Sequence, residues 1–353
     1  MTHLELFRAT VEHQSHEGFL FEASYTKDLE RRVLEHFGAD TTEEVHRRFG
    51  MPIGRSVSLR SNPDWEQTDF ARYYETLEIP DGAKIDGNGV LHVPGSSYHF
   101  THRISPLRDA VSLAQIEDFP YPSSDRFAFD EATLATEVDA AHQEGKAVRA
   151  FCGHIYENAW QIRGYEEFLV DLYQRPENCQ HILETIGKLS MALAEAYARA
   201  GVDVLHTADD VANQNAMMFA PDLWRKYMKP VWARIIARAR QIHPRIEVFY
   251  HSDGNIMEII PDLIEIGISI LNPVQPECLD VVEVKKLYGM DLVFHGTIGT
   301  QTTMPFGSPD DVRQVVRERK KTAGSDGALI LAPTHVLEPE VPIENIIAYL
   351  DEC

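Results

Sequence analysis

The chain has 353 residues, 44% hydrophobic and 25% charged, with 33 Lys+Arg against 55 Asp+Glu and a formal net charge of -22. That is the composition of a globular protein with a sizeable core, and so acidic a surface repels phosphate backbones and anionic lipid, which argues against nucleic-acid and membrane partners. The four cysteines form no CxxC pair, there is no apolar run of the roughly eighteen residues that a spanning helix needs, and the polar N-terminus lacks a signal-peptide core, so a reduced, cytoplasmic protein is expected.

Residues 1–145 read as irregular. Phe19 to Ala23 fits a first strand, Lys27 to Phe37 a helix, and Ser56 to Leu59 a further short strand. The DGNGV stretch at 86–90 is a hairpin signal, because glycine supplies the positive φ that a tight turn requires. The segment around it is expected to form an antiparallel excursion, followed by the linker FPYPSSDRF.

From residue 146 onward, short apolar runs alternate with amphipathic helices, the pattern of parallel βα units. Strands are expected at Lys146–Cys152, Val202–His206, Ile246–Tyr250, Ile268–Asn272, Leu292–His295 and Ala328–Ala332. Between them the sequence predicts a long helix from Glu166 to Ala200 broken near Pro176, then helices at Pro221–Ile242, Ile256–Ile266, Val281–Leu287 and Pro309–Thr322, with Ile343–Leu350 at the end. Six strands cannot close an eight-stranded barrel, so the N-terminal part must supply the rest. The expected architecture is a single-domain α/β (β/α)8 TIM-like barrel over 1–353, with 1–145 as its irregular part and 146–353 as its regular βα units. A doubly wound sheet is the competing architecture, and it lacks its G-x-G-x-x-G turn here.

In such a barrel the active site forms at the C-terminal ends of the strands. The residues there are rich in imidazole and carboxylate: Cys152 and His154; His206, Asp209 and Asp210; His251 and Asp253; Asn272 and Gln275; His295 and Thr297; Thr334 and His335. His251 and Asp253, two apart at a strand end, can face the same way and bind one divalent metal such as zinc, with His335 as a third ligand. They can equally cap the strand and the helix that starts near Asn255. Asp209 and Asp210 are adjacent, so in extended chain only one need line the site, where it would hold metal or substrate or shift its neighbour's pKa. His295 reads either as a site residue or as a packed histidine. In NAWQIRGYEEF, Asn158, Trp160 and Arg163 are candidates for substrate binding, Trp160 as a flat platform and Arg163 as a carboxylate clamp. Core packing for Trp160 and an ion pair for Arg163 are the alternatives. Cys152 reads as buried and Cys278 as an inert thiol. There is no G-x-S-x-G elbow, no P-loop and no H-E-x-x-H.

The segments IRGYEEFLVDLYQRPENC, TADDVANQNAMMFAPDLWRKYMKP, HSDGNIMEIIPDLIEIGISILNPVQP, LVFHGTIGTQTTMPFGSPDDVRQVV and LILAPTHVLEPEVPIENI resemble, in this order, the uroporphyrinogen decarboxylase superfamily. The resemblance covers most of residues 150–350 and implies the superfamily's distorted barrel. It leaves two activities open. The decarboxylase branch has an N-terminal arginine-rich segment similar to RQAGRY, where this chain has FEASYTKDLERR, and Gly299 stands where an Asp in GGIDTQ is common. The cobamide-dependent methyltransferase branch holds zinc with an H-x-C pair and a later Cys, which His251, Asp253 and His335 resemble with harder ligands. The resemblance thus points toward a zinc-dependent methyltransferase acting between a small-molecule substrate and a corrinoid on a partner protein, with Asp209, Asp210 and His295 catalytic and Asn272 and Gln275 orienting substrate. A tetrapyrrole decarboxylase, or a non-catalytic corrinoid- or tetrapyrrole-binding protein, are the alternatives.

Overall fold

The computed structural model describes residues 1–95 and 101–353. Eight strands form one all-parallel sheet: β1 (Leu20–Phe21), β2 (Arg55–Val57), β3 (Val148–Phe151), β4 (Val204–Ala208), β5 (Glu247–His251), β6 (Ile270–Asn272), β7 (Val293–Ile298) and β8 (Leu329–Pro333). Their order across the sheet is β1-β8-β7-β6-β5-β4-β3-β2. Each pairing is parallel, and β1 and β2 do not pair with each other among the described residues. The barrel expected from the βα alternation is therefore present and distorted, with a seam between β1 and β2.

The six strands expected after residue 145 are all found, and several continue past their apolar runs. β4 extends to Ala208 and β7 to Ile298, because ladder bonds to neighbouring strands continue after the side chains change from apolar to polar. His206, His251 and His295 thus sit within strands, on walls fixed by backbone pairing. Pro176 begins a new helix, Pro176–Ala200, after Tyr165–Gln174. The stretch 221–242 divides into Pro221–Tyr227 and Lys229–Ile242, since Pro230 lacks the N–H that would continue the first helix.

Inside the barrel, Leu20, Ala147, Val204, Phe249, Ile270, Val293 and Ile330 pack on Leu4, Leu6 and Phe7 of the N-terminal helix His3–Val11. That helix closes the bottom of the barrel, with the Ala147 N–H donating to His3 Nδ1 at 3.0 Å. Its capping box, Thr2 with Glu5, is explicit in the sequence, yet a helix of nine residues is too short to announce itself by periodicity. The expected hairpin also forms, Lys84–Ile85 with Leu91–Pro94, and is joined by a third strand, Thr101–Ile104. Asn88 in its turn reaches Asn158 at 3.4 Å, which seats the excursion on the helix following β3.

Candidate active site

The strands direct a polar layer into the upper half of the barrel, above the apolar floor. It lines a cavity of about 550 Å³ that includes Glu22, Arg149, His154, His206, His251, Asn272, His295 and His335, with Phe151 and Phe249 between them. Period-two alternation places these side chains: Ala147 and Arg149, Val204 and His206, Phe249 and His251, and Ile270 and Asn272 each step from floor to site along one strand face.

At the end of β5, Asp210, His251 and Asp253 bring three ligand atoms within 4.8 Å of one another. His251 Nε2 lies 3.5 Å from Asp210 Oδ1, and the Asp253 N–H donates to the same oxygen at 2.8 Å. Burial raises the Asp253 carboxyl, the His251 imidazole opposes that, and the Asp210 carboxylate raises it again. Two carboxylates facing one another beside an imidazole form a donor set suited to a divalent cation.

The protonation of His251 follows from Asn272. The Asn272 amide nitrogen donates to the His295 carbonyl at 3.1 Å, and a carbonyl can only accept. Asn272 Oδ1 must therefore be the atom 2.5 Å from His251 Nδ1. His251 then carries its hydrogen on Nδ1 and, when neutral, presents the Nε2 lone pair to the carboxylates. The same amide donates to His295 Nδ1 at 2.8 Å, leaving the His295 hydrogen on Nε2, 3.4 Å from Glu22 Oε2.

Glu22 in turn accepts from Arg149 at 2.9 Å, and the Arg149 Nε–H donates to Ser56 Oγ at 3.1 Å. These contacts run from the end of β1 through β3 to β2, so side chains tie the seam that backbone pairing leaves open. Burial opposes ionisation of Glu22, but Arg149 and His295 outweigh it and hold the carboxyl well below its usual range. Burial, with Arg149 close by, drives His206 down to about 3, so that imidazole is neutral.

Asp209 and Asp210 face opposite ways. Asp209 is fully buried and accepts from the backbone N–H groups of Ile155 and Glu157 and from Trp232 Nε1 at 2.9–3.1 Å. Burial pushes it up to about 7. Its place is behind the wall, holding the loop after β3, while Asp210 stands with His251 and Asp253. The helix-capping reading of Asp253 does not apply, because the Met257 N–H is taken by Asn255 Oδ1 at 3.2 Å. Gly254 fixes this turn: at φ +86 a Cβ there would lie 2.5 Å from the Asn213 carbonyl oxygen.

The remaining predicted residues divide. His295 and Asn272 line the cavity, as does His335, which is exposed. The His335 ring nitrogens fall outside the three-residue cluster; Nδ1 lies 3.3 Å from the Val336 carbonyl. Gln275 is buried and accepts the Gly254 N–H at 3.3 Å, steadying the turn. Asn158, Trp160 and Arg163 lie off the cavity wall. Asn158 donates to the His154 carbonyl at 2.8 Å. Trp160 packs edge-on against Tyr165 with ring centroids 5.6 Å apart. Arg163 is buried, with its guanidinium committed to Asp171 at 2.7 Å and to the Leu107 carbonyl. Glu22, Arg149 and Glu157 were not singled out from the sequence. For Arg149 a signal existed: in KAVRAFC a charged residue alternates with Ala147 on the face that turns inward.

The sequence profile of the uroporphyrinogen decarboxylase (URO-D) family matches residues 95–353. Two curated relatives, both described as methylcobamide:CoM methyltransferase MtaA, come from Methanosarcina barkeri and from its strain Fusaro / DSM 804. They are 27% and 25% identical over 169 residues, 48% of this chain and 46% of theirs. The chain therefore spans about half the length of the curated relatives it matches. A solved methyltransferase from Methanosarcina mazei is similar in fold, with a TM-score of 0.67 over 100% of this chain and 98% of that one at 15% identity.

Proposed function

The chain belongs to the uroporphyrinogen decarboxylase family, and on that premise we propose that it is a zinc-dependent methyltransferase, moving a methyl group between a small substrate and a corrinoid carried by a partner protein. The observation that carries the reading is the Asp210–His251–Asp253 cluster at the end of β5, where Asn272 engages His251 Nδ1 and His251 Nε2 lies 3.5 Å from Asp210 Oδ1. Imidazole with carboxylate suits zinc. The names of the relatives, which couple a methylated cobamide to CoM, support the corrinoid half of the reading.

Asp210, His251 and Asp253 would hold the ion, with His335 on the adjoining wall. Bound there, zinc supplies Lewis acidity to the heteroatom of the substrate. The protein's own share is positional. Asn272 holds the imidazole of His251 in its ligating tautomer, Gly254 and Gln275 fix the turn that carries Asp253, and Phe151 and Phe249 give the cavity apolar walls. Replacing Asn272 by Leu is expected to weaken zinc binding by about 10–100-fold, the usual cost of losing an outer partner of a metal-ligating histidine, as read by competition with a chromophoric chelator. An unchanged affinity would remove Asn272 from this role.

The decarboxylase alternative needs cations for substrate carboxylates. Arg149 is the one Arg or Lys among the described residues lining the cavity, and Glu22 neutralises it. The activity test gives the zinc-loaded chain methylcobalamin and a small thiol and follows corrinoid absorbance. Thiol-dependent demethylation that stops on zinc removal is the expected result. Tight corrinoid binding without turnover would instead favour a carrier or chaperone.

A further inference from the structure

Methyl transfer between a heteroatom and a corrinoid also moves a proton. When CH3–X–R gives up its methyl, the C–X bond breaks and X keeps the bonding pair, while the reduced cobalt of the corrinoid co-substrate contributes the pair of the new Co–C bond. The product HX–R then needs one proton, and in the opposite direction the acceptor HX–R releases one. Resting on the function proposed above, we infer that His154, oriented by Glu157, is the acid–base residue that carries this proton.

The geometry singles out this imidazole. His154 Nδ1 lies 2.9 Å from the Ala208 carbonyl oxygen and 2.7 Å from Glu157 Oε2. Both are acceptors, so Nδ1 carries hydrogen in either charge state, and the exchangeable position is Nε2. The side chain is 32% exposed and lines the cavity, and no hydrogen bond engages Nε2 among the described residues. This is the arrangement of a general base whose other nitrogen is fixed by a carboxylate.

The other imidazoles of the cavity are engaged or unsuited. His251 has Nδ1 on Asn272 and Nε2 toward the carboxylates. His295 uses Nδ1 for Asn272 and turns Nε2 to Glu22. His206 is held neutral by burial and by Arg149, and His335 has Nδ1 3.3 Å from the Val336 carbonyl and acts on the charge of Asp253.

The charged groups that face His154 are Glu157, in the first turn of the helix that follows it, and Asp209 just after β4. Burial by itself would lower its pKa, but Glu157 and Asp209 outweigh burial and raise it to about 9. The Asp210 N–H donates to Glu157, which holds that carboxylate in place beside His154. A cationic His154 can give a proton to a departing oxyanion or thiolate, and a neutral one can take a proton from an incoming thiol.

Two measurements on the zinc-loaded protein separate this inference from the function it rests on. In imidazole ¹⁵N NMR, with His154→Gln for assignment, His154 is expected to remain protonated through neutral pH and to titrate at lower pH in Glu157→Gln. Titration near the ordinary histidine value in both proteins would overturn the inference, whatever the activity. In the methylcobalamin–thiol assay, wild-type kcat should rise with pH up to the His154 titration. His154→Gln should lower kcat by about 10²–10⁴-fold and abolish that limb, and Glu157→Gln should move the limb to lower pH. A wild type that demethylates the corrinoid, beside a His154→Gln with the same kcat and pH profile, would also overturn it. A wild type that moves no methyl group would remove the function proposed above, while the NMR titration still decides the His154–Glu157 pair.

Discussion

Replacing His251 by alanine should lower the zinc affinity of the chain by more than about 100-fold, beyond the cost of losing an outer partner. The imidazole is the one neutral ligand in the cluster, and Asn272 presets its tautomer, so its loss removes both a donor and its preorganisation. Asp210 and Asp253 would then remain as two carboxylates without a nitrogen donor beside them, and thiol-dependent demethylation of methylcobalamin should fall with the metal. Replacing His335 should have a smaller effect, because its ring lies outside the cluster. Comparable zinc losses at His335 and His251 would mean that the ion sits across the mouth rather than at the end of β5.

The second large effect concerns stability. Arg163→Ala should destabilise the fold by about 3–5 kcal/mol, the cost of breaking a buried ion pair from one side. Arg163 and Asp171 are both essentially buried, with 1% and 0% of their side chains exposed. Among the described residues Asp171 would keep Arg175, which is 33% exposed, and the Leu107 carbonyl would keep the Ala110 N–H but lose its bond from the Arg163 guanidinium. Guanidinium unfolding is the measurement. A change below about 1 kcal/mol, the usual size for an exposed pair, would contradict this placement.

The regular half of the barrel was legible because parallel strands buried on both faces read as short apolar runs, and β7 is buried along its whole length. The strand ends were less legible. Apolar content marks where a strand packs, whereas ladder pairing decides where it stops, so His251, one residue past its expected strand, proved to be a strand residue. The His251–Asp253 spacing indicated a cluster, and its third member, Asp210, was in view only as one of two adjacent carboxylates. Which of the two joins His251 and Asp253 depends on the Ile155 and Glu157 N–H groups and Trp232, which bind Asp209 from distant elements.

Glu22 and Arg149 were missed for a related reason. Each is a charged residue in or directly after a short apolar strand, where composition suggests an exposed edge, and each instead lines the cavity, where their contacts bridge the seam between β1 and β2. Glu157 carried no signal at all, since an acid in the first turn of a helix is commonplace. Arg163 gave the opposite outcome: its residue type suggested a carboxylate clamp, and the fold supplies that carboxylate from Asp171.

The central claim is tested most directly by anomalous diffraction at the zinc edge on crystals of the zinc-loaded protein. The account predicts one strong peak between Asp210, His251 and Asp253, within about 2.0–2.2 Å of His251 Nε2 and of carboxylate oxygens. A structure with that site empty at stoichiometric zinc, or with the ion held elsewhere, would contradict it.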